Sequence, residues 1–188
     1  MSGEPFLLRN IGILTALILS LMCSHCFLFG GGVKNSGKVR GYEPGKAITE
    51  KGFYNVGELP ASWKQTKIDS YKTLAFYNPE YKSTIQTDSF CDGSYDDASL
   101  KVLTTHLYFP LKNKKLRWEK NFQLDGREAY RAVAEGTVEG KTVILDTVVI
   151  KKKECLFDFD LVSEPDLYSK AAPDFETFFK GFKYQGLP

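Results

Sequence analysis

Apolar and polar positions alternate most cleanly over residues 155–162, where Cys155, Phe157, Phe159 and Leu161 fall on one side and Asp158 and Asp160 on the other. A period of two predicts a strand with one face in the core and the other wet or held in polar contacts. Residues 73–78, stopped by Pro79, and residues 83–90 predict a hairpin. Residues 116–124, 130–138 and 142–150 predict three more strands, joined by the turn pairs Asp125-Gly126 and Glu139-Gly140. Residues 53–56 read as a short extended piece, turned at Pro60 and pinned by Trp63. Helical spacing appears twice. Leu100, Leu103 and Leu107 share one face of a segment that Asp97 can cap and Pro110 stops. Phe175, Phe178, Phe179 and Phe182 share another, with Pro173 at its first turn and Gly181 at its end. The expected class is α+β: an antiparallel sheet of roughly five to seven strands with two or more helices packed on it.

One stretch breaks the pattern. Residues 10–33 contain no Asp, Glu, Lys or Arg, and residues 11–22 read IGILTALILSLM behind Arg9. A short apolar run behind a weakly positive start is the pattern of a secretory signal. Cleavage after Met22 would make Cys23 the first residue and a site of lipidation, although Ser20-Leu21-Met22 departs from the usual Leu, small residue, Gly or Ala. Left uncut, residues 11–29 approach the roughly 20 needed to cross a bilayer. Ordinary cleavage near Cys26 or the following glycines is the third outcome. Each places residues 34–188 outside the cytoplasm. The expected division is therefore 1–26 as signal or membrane anchor, 27–46 as a flexible tether rich in Gly, Lys and turn formers, and 47–188 as a single α+β domain. Cys23 and Cys26 have a redox-like spacing, but they close a targeting segment and do not open a domain helix. His25 reads as a polar residue at a membrane boundary.

Composition narrows the function classes. The chain has 188 residues, 43% of them hydrophobic, with 25 basic and 23 acidic side chains. That is ample for one core and excludes general disorder. A net charge of +2 gives no argument for nucleic acid. Outside the N-terminal segment two cysteines remain, Cys91 and Cys155. An even pair in an exported domain favours a disulfide over two separate buried thiols.

Candidate chemistry is sparse. His106 is the single histidine beyond residue 25. It reads as a surface or edge residue, since no GxSxG-type turn accompanies it and a zinc site lacks ligands. Asp158 and Asp160 point the same way along a strand, so a shared cation or a hydrolase using one of them with His106 is geometrically conceivable. The plainer reading is a polar sheet face. Asp92, Asp96 and Asp97 miss the calcium-loop spacing. Lys112, Lys114, Lys115 and Arg117, and Lys151, Lys152 and Lys153, lie at turns or strand ends, where they are solvated or face anionic lipid headgroups. No cofactor or metal is expected.

Two sets of residues carry a resemblance. Gly57-Glu58-Leu59-Pro60-Ala61-Ser62-Trp63, followed by a sheet, a central helix and a late aromatic strand, resembles the small envelope proteins with a Mog1/PsbP-like fold. Leu124-Asp125-Gly126-Arg127-Glu128-Ala129 and Lys153-Glu154-Cys155-Leu156-Phe157-Asp158 are similar to segments of uncharacterised bacterial envelope lipoproteins. The resemblance covers residues 47–188 and implies a protein that binds or scaffolds others and does not catalyse. The resulting expectation is a membrane-tethered, non-enzymatic envelope protein whose partner is another envelope protein or a lipidic ligand. An accessory subunit of an envelope transport or assembly complex, held by an uncut N-terminal helix, is the alternative, followed by the carboxylate/His hydrolase.

Overall fold

A computed structural model describes residues 39–66, 74–91, 93, 95 and 97–186. The expected signal or anchor, Cys23 and most of the expected tether lie outside the described residues. Among the described residues no helix is long and apolar enough to cross a membrane.

Two antiparallel sheets organise the domain. The larger contains β4 (Lys64–Thr66), β5 (Leu74–Asn78), β6 (Ser83–Cys91), β7 (Lys112–Leu124), β8 (Arg127–Val138), β9 (Lys141–Lys152) and β10 (Cys155–Ser163), in the order β4-β5-β6-β10-β9-β8-β7. The meander from β7 to β10 follows from its turns. Asp125-Gly126 and Glu139-Gly140 have positive φ at both residues, 48° and 71°, then 50° and 79°. That is the twist a two-residue hairpin turn needs, and glycine adopts it without a Cβ clash. β10 then inserts beside β6, so the two hairpin systems merge into one sheet.

The smaller sheet has the order β1 (Val39–Glu43), β2 (Lys46–Thr49), β3 (Gly52–Asn55) and β11 (Lys183–Gly186). It corrects the sequence reading twice. The end of the expected tether, up to Lys46, pairs as β1 and the first residue of β2. The last strand, which sequence pattern missed, adds to β3. These strands are four or five residues long, too short to show an alternation.

Helix α1 (Leu100–Leu107) packs on β8 and β9. Its cap is Ser99 and not Asp97: the Ser99 hydroxyl accepts from the Val102 N–H at 3.3 Å. Helix α2 (Tyr168–Lys180) lies across β10 and β6 on the other face. It starts five residues before Pro173, which sits inside it. The early start puts Ala171 on the same buried face as Phe175, Phe178 and Phe179, and that burial offsets the hydrogen bond proline removes.

The main core lies between α2, the small sheet and the inner face of the large sheet. Phe157 and Phe159 of β10 meet Phe178, Phe182 and Tyr54 there in edge-on or tilted contacts 4.8–6.2 Å between ring centres. Trp63 is buried and its indole donates to Asp174 of α2 at 2.7 Å, so the expected pin holds the helix itself. Cys91 and Cys155 face each other across β6 and β10 and are bonded, with Cα atoms 4.1 Å apart. The close register brings the cysteines together and staples the two hairpin systems.

Candidate functional site

Buried polar groups come first, because isolation from water is what changes their chemistry. Asp158 lies opposite Asp88 across β6 and β10, and Asp160 lies opposite Gln86. Alternation along β10 turns both aspartates to the α1 side of the sheet, with Leu156 and Val162. Both are buried, so of the two readings the alternation left open, a wet face or one held in polar contacts, the second holds. The Asp88 backbone N–H donates to Asp158 Oδ1 at 3.2 Å. Thr147 Oγ1 and Gln86 Nε2 donate to Asp160 at 2.6 and 3.2 Å. Burial, then the neighbouring charges of Asp160 and Asp88, hold the Asp158 carboxyl well above the usual carboxylate range. Burial also raises Asp160, to about 6, against its bonds from Thr147 and Gln86.

The hydrolase expectation fails on position. Leu103 and Thr104 take the buried side of α1 and leave His106 exposed. A base that cannot reach its carboxylate partner supplies no general acid–base pair. Asp97 is exposed and binds Lys151. Among the described residues no group of three or more metal-type side chains gathers.

A second buried group escaped the sequence reading. Arg131 on β8 clamps Asp146 on β9 with two bonds, 2.8 and 2.6 Å, and both side chains are almost fully enclosed. Tyr168 of α2 donates to the same carboxylate at 2.8 Å, and Glu176 stands 3.6 Å from the guanidinium. Phe179, Trp118 and Phe175 lie 5.0, 5.1 and 5.7 Å from the guanidinium carbon. The available signal was a lone charge inside the uncharged middle of each strand, Arg131 within residues 129–134 and Asp146 within residues 142–150.

The exposed surface divides unevenly. Lys151 is taken up by Asp97 and the Ala98 carbonyl, Lys152 by Asp125, and Lys153 stands 5.4 Å over the Tyr184 ring. That basic run is part of the domain's own bonding. Of the other run, Arg117 is and the lysines are not. β7 is an edge strand whose first ten residues are all exposed. Arg117 pairs with Glu135, and Glu119 with Lys101 of α1 and the Tyr130 hydroxyl. Lys112, Lys114, Lys115 and Lys120 have no carboxylate partner among the described residues, and Lys120 lies 5.6 Å over the Trp118 ring. The large apolar side chains exposed among the described residues are Val102, Phe109, Leu116 and Trp118, and all four fall between α1 and the middle of β7. Residues 101–120 carry six basic and one acidic side chain, a net +5 within a chain of +2. Exposed aromatics interleaved with unpaired cations form a surface suited to binding and not to bond-making.

Comparison with known proteins places the architecture. No protein-family model and no curated sequence matches the chain. Solved structures do. Cyanobacterial PsbP (CyanoP) from Synechocystis is similar at 12% identity and a TM-score of 0.51, over 84% of this chain and 99% of that one. The Ran-binding protein Mog1p of Saccharomyces cerevisiae is similar at 9% identity and a TM-score of 0.50, over 68% of this chain and 88% of that one. A Bacteroides thetaiotaomicron protein is similar at 12% identity and a TM-score of 0.52, over 79% of this chain and 49% of that one. Sheet order, the two helices and these likenesses agree: the chain has a Mog1/PsbP-like α+β fold.

Proposed function

We propose that this is a non-enzymatic binding or scaffolding protein of the bacterial cell envelope, held at a membrane by its N-terminal segment and engaging its partner through the α1–β7 surface. The observation that carries the reading is that the large exposed apolar side chains among the described residues, Val102, Phe109, Leu116 and Trp118, all fall on α1, the segment after it and edge strand β7, which also carries lysines with no carboxylate partner. The charge-free run at residues 10–33 supports the envelope location, and so does the Cys91–Cys155 bond, which persists in oxidising compartments. The same fold serves a binding role in yeast Mog1p, which fits the reading by analogy alone.

Photo-crosslinking in cells tests it. A photoreactive residue at position 116 or 118 is expected to give adducts, whether to a protein or to lipid, and one at Glu80, exposed in the β5–β6 turn of the opposite half of the sheet, is not. Equal labelling at all three positions, or none, overturns the reading. Adducts to subunits of one transport or assembly complex would identify the protein as an accessory subunit.

A further inference from the structure

We infer that the occupant of the α1–β7 surface is an anionic lipid bilayer, which the edge of the sheet meets side-on; this rests on the binding role proposed above and names its partner.

An edge strand usually invites another strand, because its outward N–H and C=O groups stand unpaired. β7 is poorly built for that. Its register against β8 shifts between Lys112 and Lys115 and again between Leu116 and Trp118, and Asn113 has a φ of 51°. Such bulges break the even spacing a second strand needs, and edge lysines discourage one further. Recognition therefore falls to the side chains.

Those side chains have the chemistry of a membrane interface. Leu116 pairs with Ala134 and Trp118 with Val133, consecutive residues of β8, so the two apolar groups flank the strand on opposite faces. A flat partner meets both only when it lies along the edge. Phe109, three-quarters exposed at the end of α1, and Val102 extend the apolar patch on the α1 side. Trp and Phe sit favourably at the boundary between headgroups and acyl chains, and lysine stems lie along apolar surface while their ammonium groups reach outward. Glu119 on β7 and Glu135 on β8 are already occupied, the first by Lys101 and Tyr130 and the second by Arg117. Glu139 in the β8–β9 turn has no ion-pair partner among the described residues and stands two positions from Lys141. Lys112, Lys114, Lys115 and Lys120 are left to answer a negatively charged surface. Each such cation shifts a docking equilibrium on anionic lipid by about fivefold, so four together decide whether the edge docks.

Tryptophan quenching in proteoliposomes tests the inference on the full chain. Vesicles of phosphatidylcholine with 30% phosphatidylglycerol and vesicles of phosphatidylcholine alone would each carry acyl-brominated phosphatidylcholine as quencher. The Trp118 signal is the difference between the native chain and Trp118→Phe, which leaves Trp63 as common background. The expected result is strong quenching of Trp118 in the anionic vesicles, weak quenching in the neutral ones, and loss of the difference in 0.5 M salt. The variant Lys112→Gln/Lys114→Gln/Lys115→Gln/Lys120→Gln, all at exposed positions, is expected to shift docking by several hundredfold and fall to the neutral level. Equal quenching in both vesicles, or an unaffected quadruple variant, overturns the inference. If Trp118 stays unquenched while positions 116 and 118 crosslink to a protein, the bilayer is wrong and the binding role stands. If neither occurs, both fall.

Discussion

Asp158 faces Asp88 across β6 and β10 with its carboxyl shut from water, and that isolation has a measurable sign. Its folded-state pKa lies above the unfolded value, so the folded chain holds the proton after the unfolded chain has lost it, and stability falls as pH rises through that window. For Asp160 the window runs from the model-peptide value of 3.8 to about 6, a loss of about 3 kcal/mol across it. Asp158→Asn keeps an oxygen for the Asp88 N–H and removes the ionisation. Urea denaturation is expected to show it more stable than the native chain at pH 7, with the gain gone by about pH 4. A gain that persists at pH 4 would contradict the assignment. Arg131 behaves oppositely. Arg131→Met strands the Asp146 charge in the core and is expected to cost about 3–5 kcal/mol, and adding Asp146→Leu should restore most of it. Additive losses would mean the two are not coupled.

The contact between α2 and the exit of β3 is made backbone to backbone. The Gly57 N–H donates to the Phe178 carbonyl at 2.8 Å, and a Cβ on Gly57 would stand 2.0 Å from the Thr177 oxygen. A Cβ on Gly181 would stand 2.1 Å from the Gly57 nitrogen. Gly57→Ala must push the helix off the core and is expected to lower stability by about 3 kcal/mol in thermal or urea unfolding. The Cys91–Cys155 staple closes a separation of 64 residues, so Cys91→Ser/Cys155→Ser is expected to cost about 4 kcal/mol on the chain-entropy argument. A loss under 1 kcal/mol in either variant would reject the corresponding account. Elements of this kind were legible to different degrees. β7 to β10 could be read because their turns are Asp-Gly and Glu-Gly and their strands are long enough to alternate. β1, β2 and β11 could not, since they lack an aromatic pair such as Phe53-Tyr54 of β3 or Phe76-Tyr77 of β5 and are fixed by tertiary pairing. The start of α2 was missed because Pro173 reads as a first-turn residue unless the burial of Ala171 is known.

At the scale of the whole molecule, position in the sheet order decides which residues are free to bind. Period-two pattern marks 116–124 as one more strand, and nothing local reveals that it is the outermost of seven. That place exposes Leu116 and Trp118, which an inner strand would have buried. Lys112, Lys114, Lys115 and Arg117 were legible as a basic run, and the fold supplies the apolar half of the surface and separates these residues from the internally bonded Lys151, Lys152 and Lys153. Near-neutral overall charge therefore conceals a strongly basic edge. Hydrogen exchange on the full chain in phosphatidylcholine vesicles, with and without 30% phosphatidylglycerol, shows whether the α1–β7 edge docks on anionic lipid. The account predicts that the anionic lipid slows exchange over residues 102–120 and leaves β4, β5 and the small sheet unchanged. Slowing centred on those other strands, or no change over residues 102–120, would contradict it.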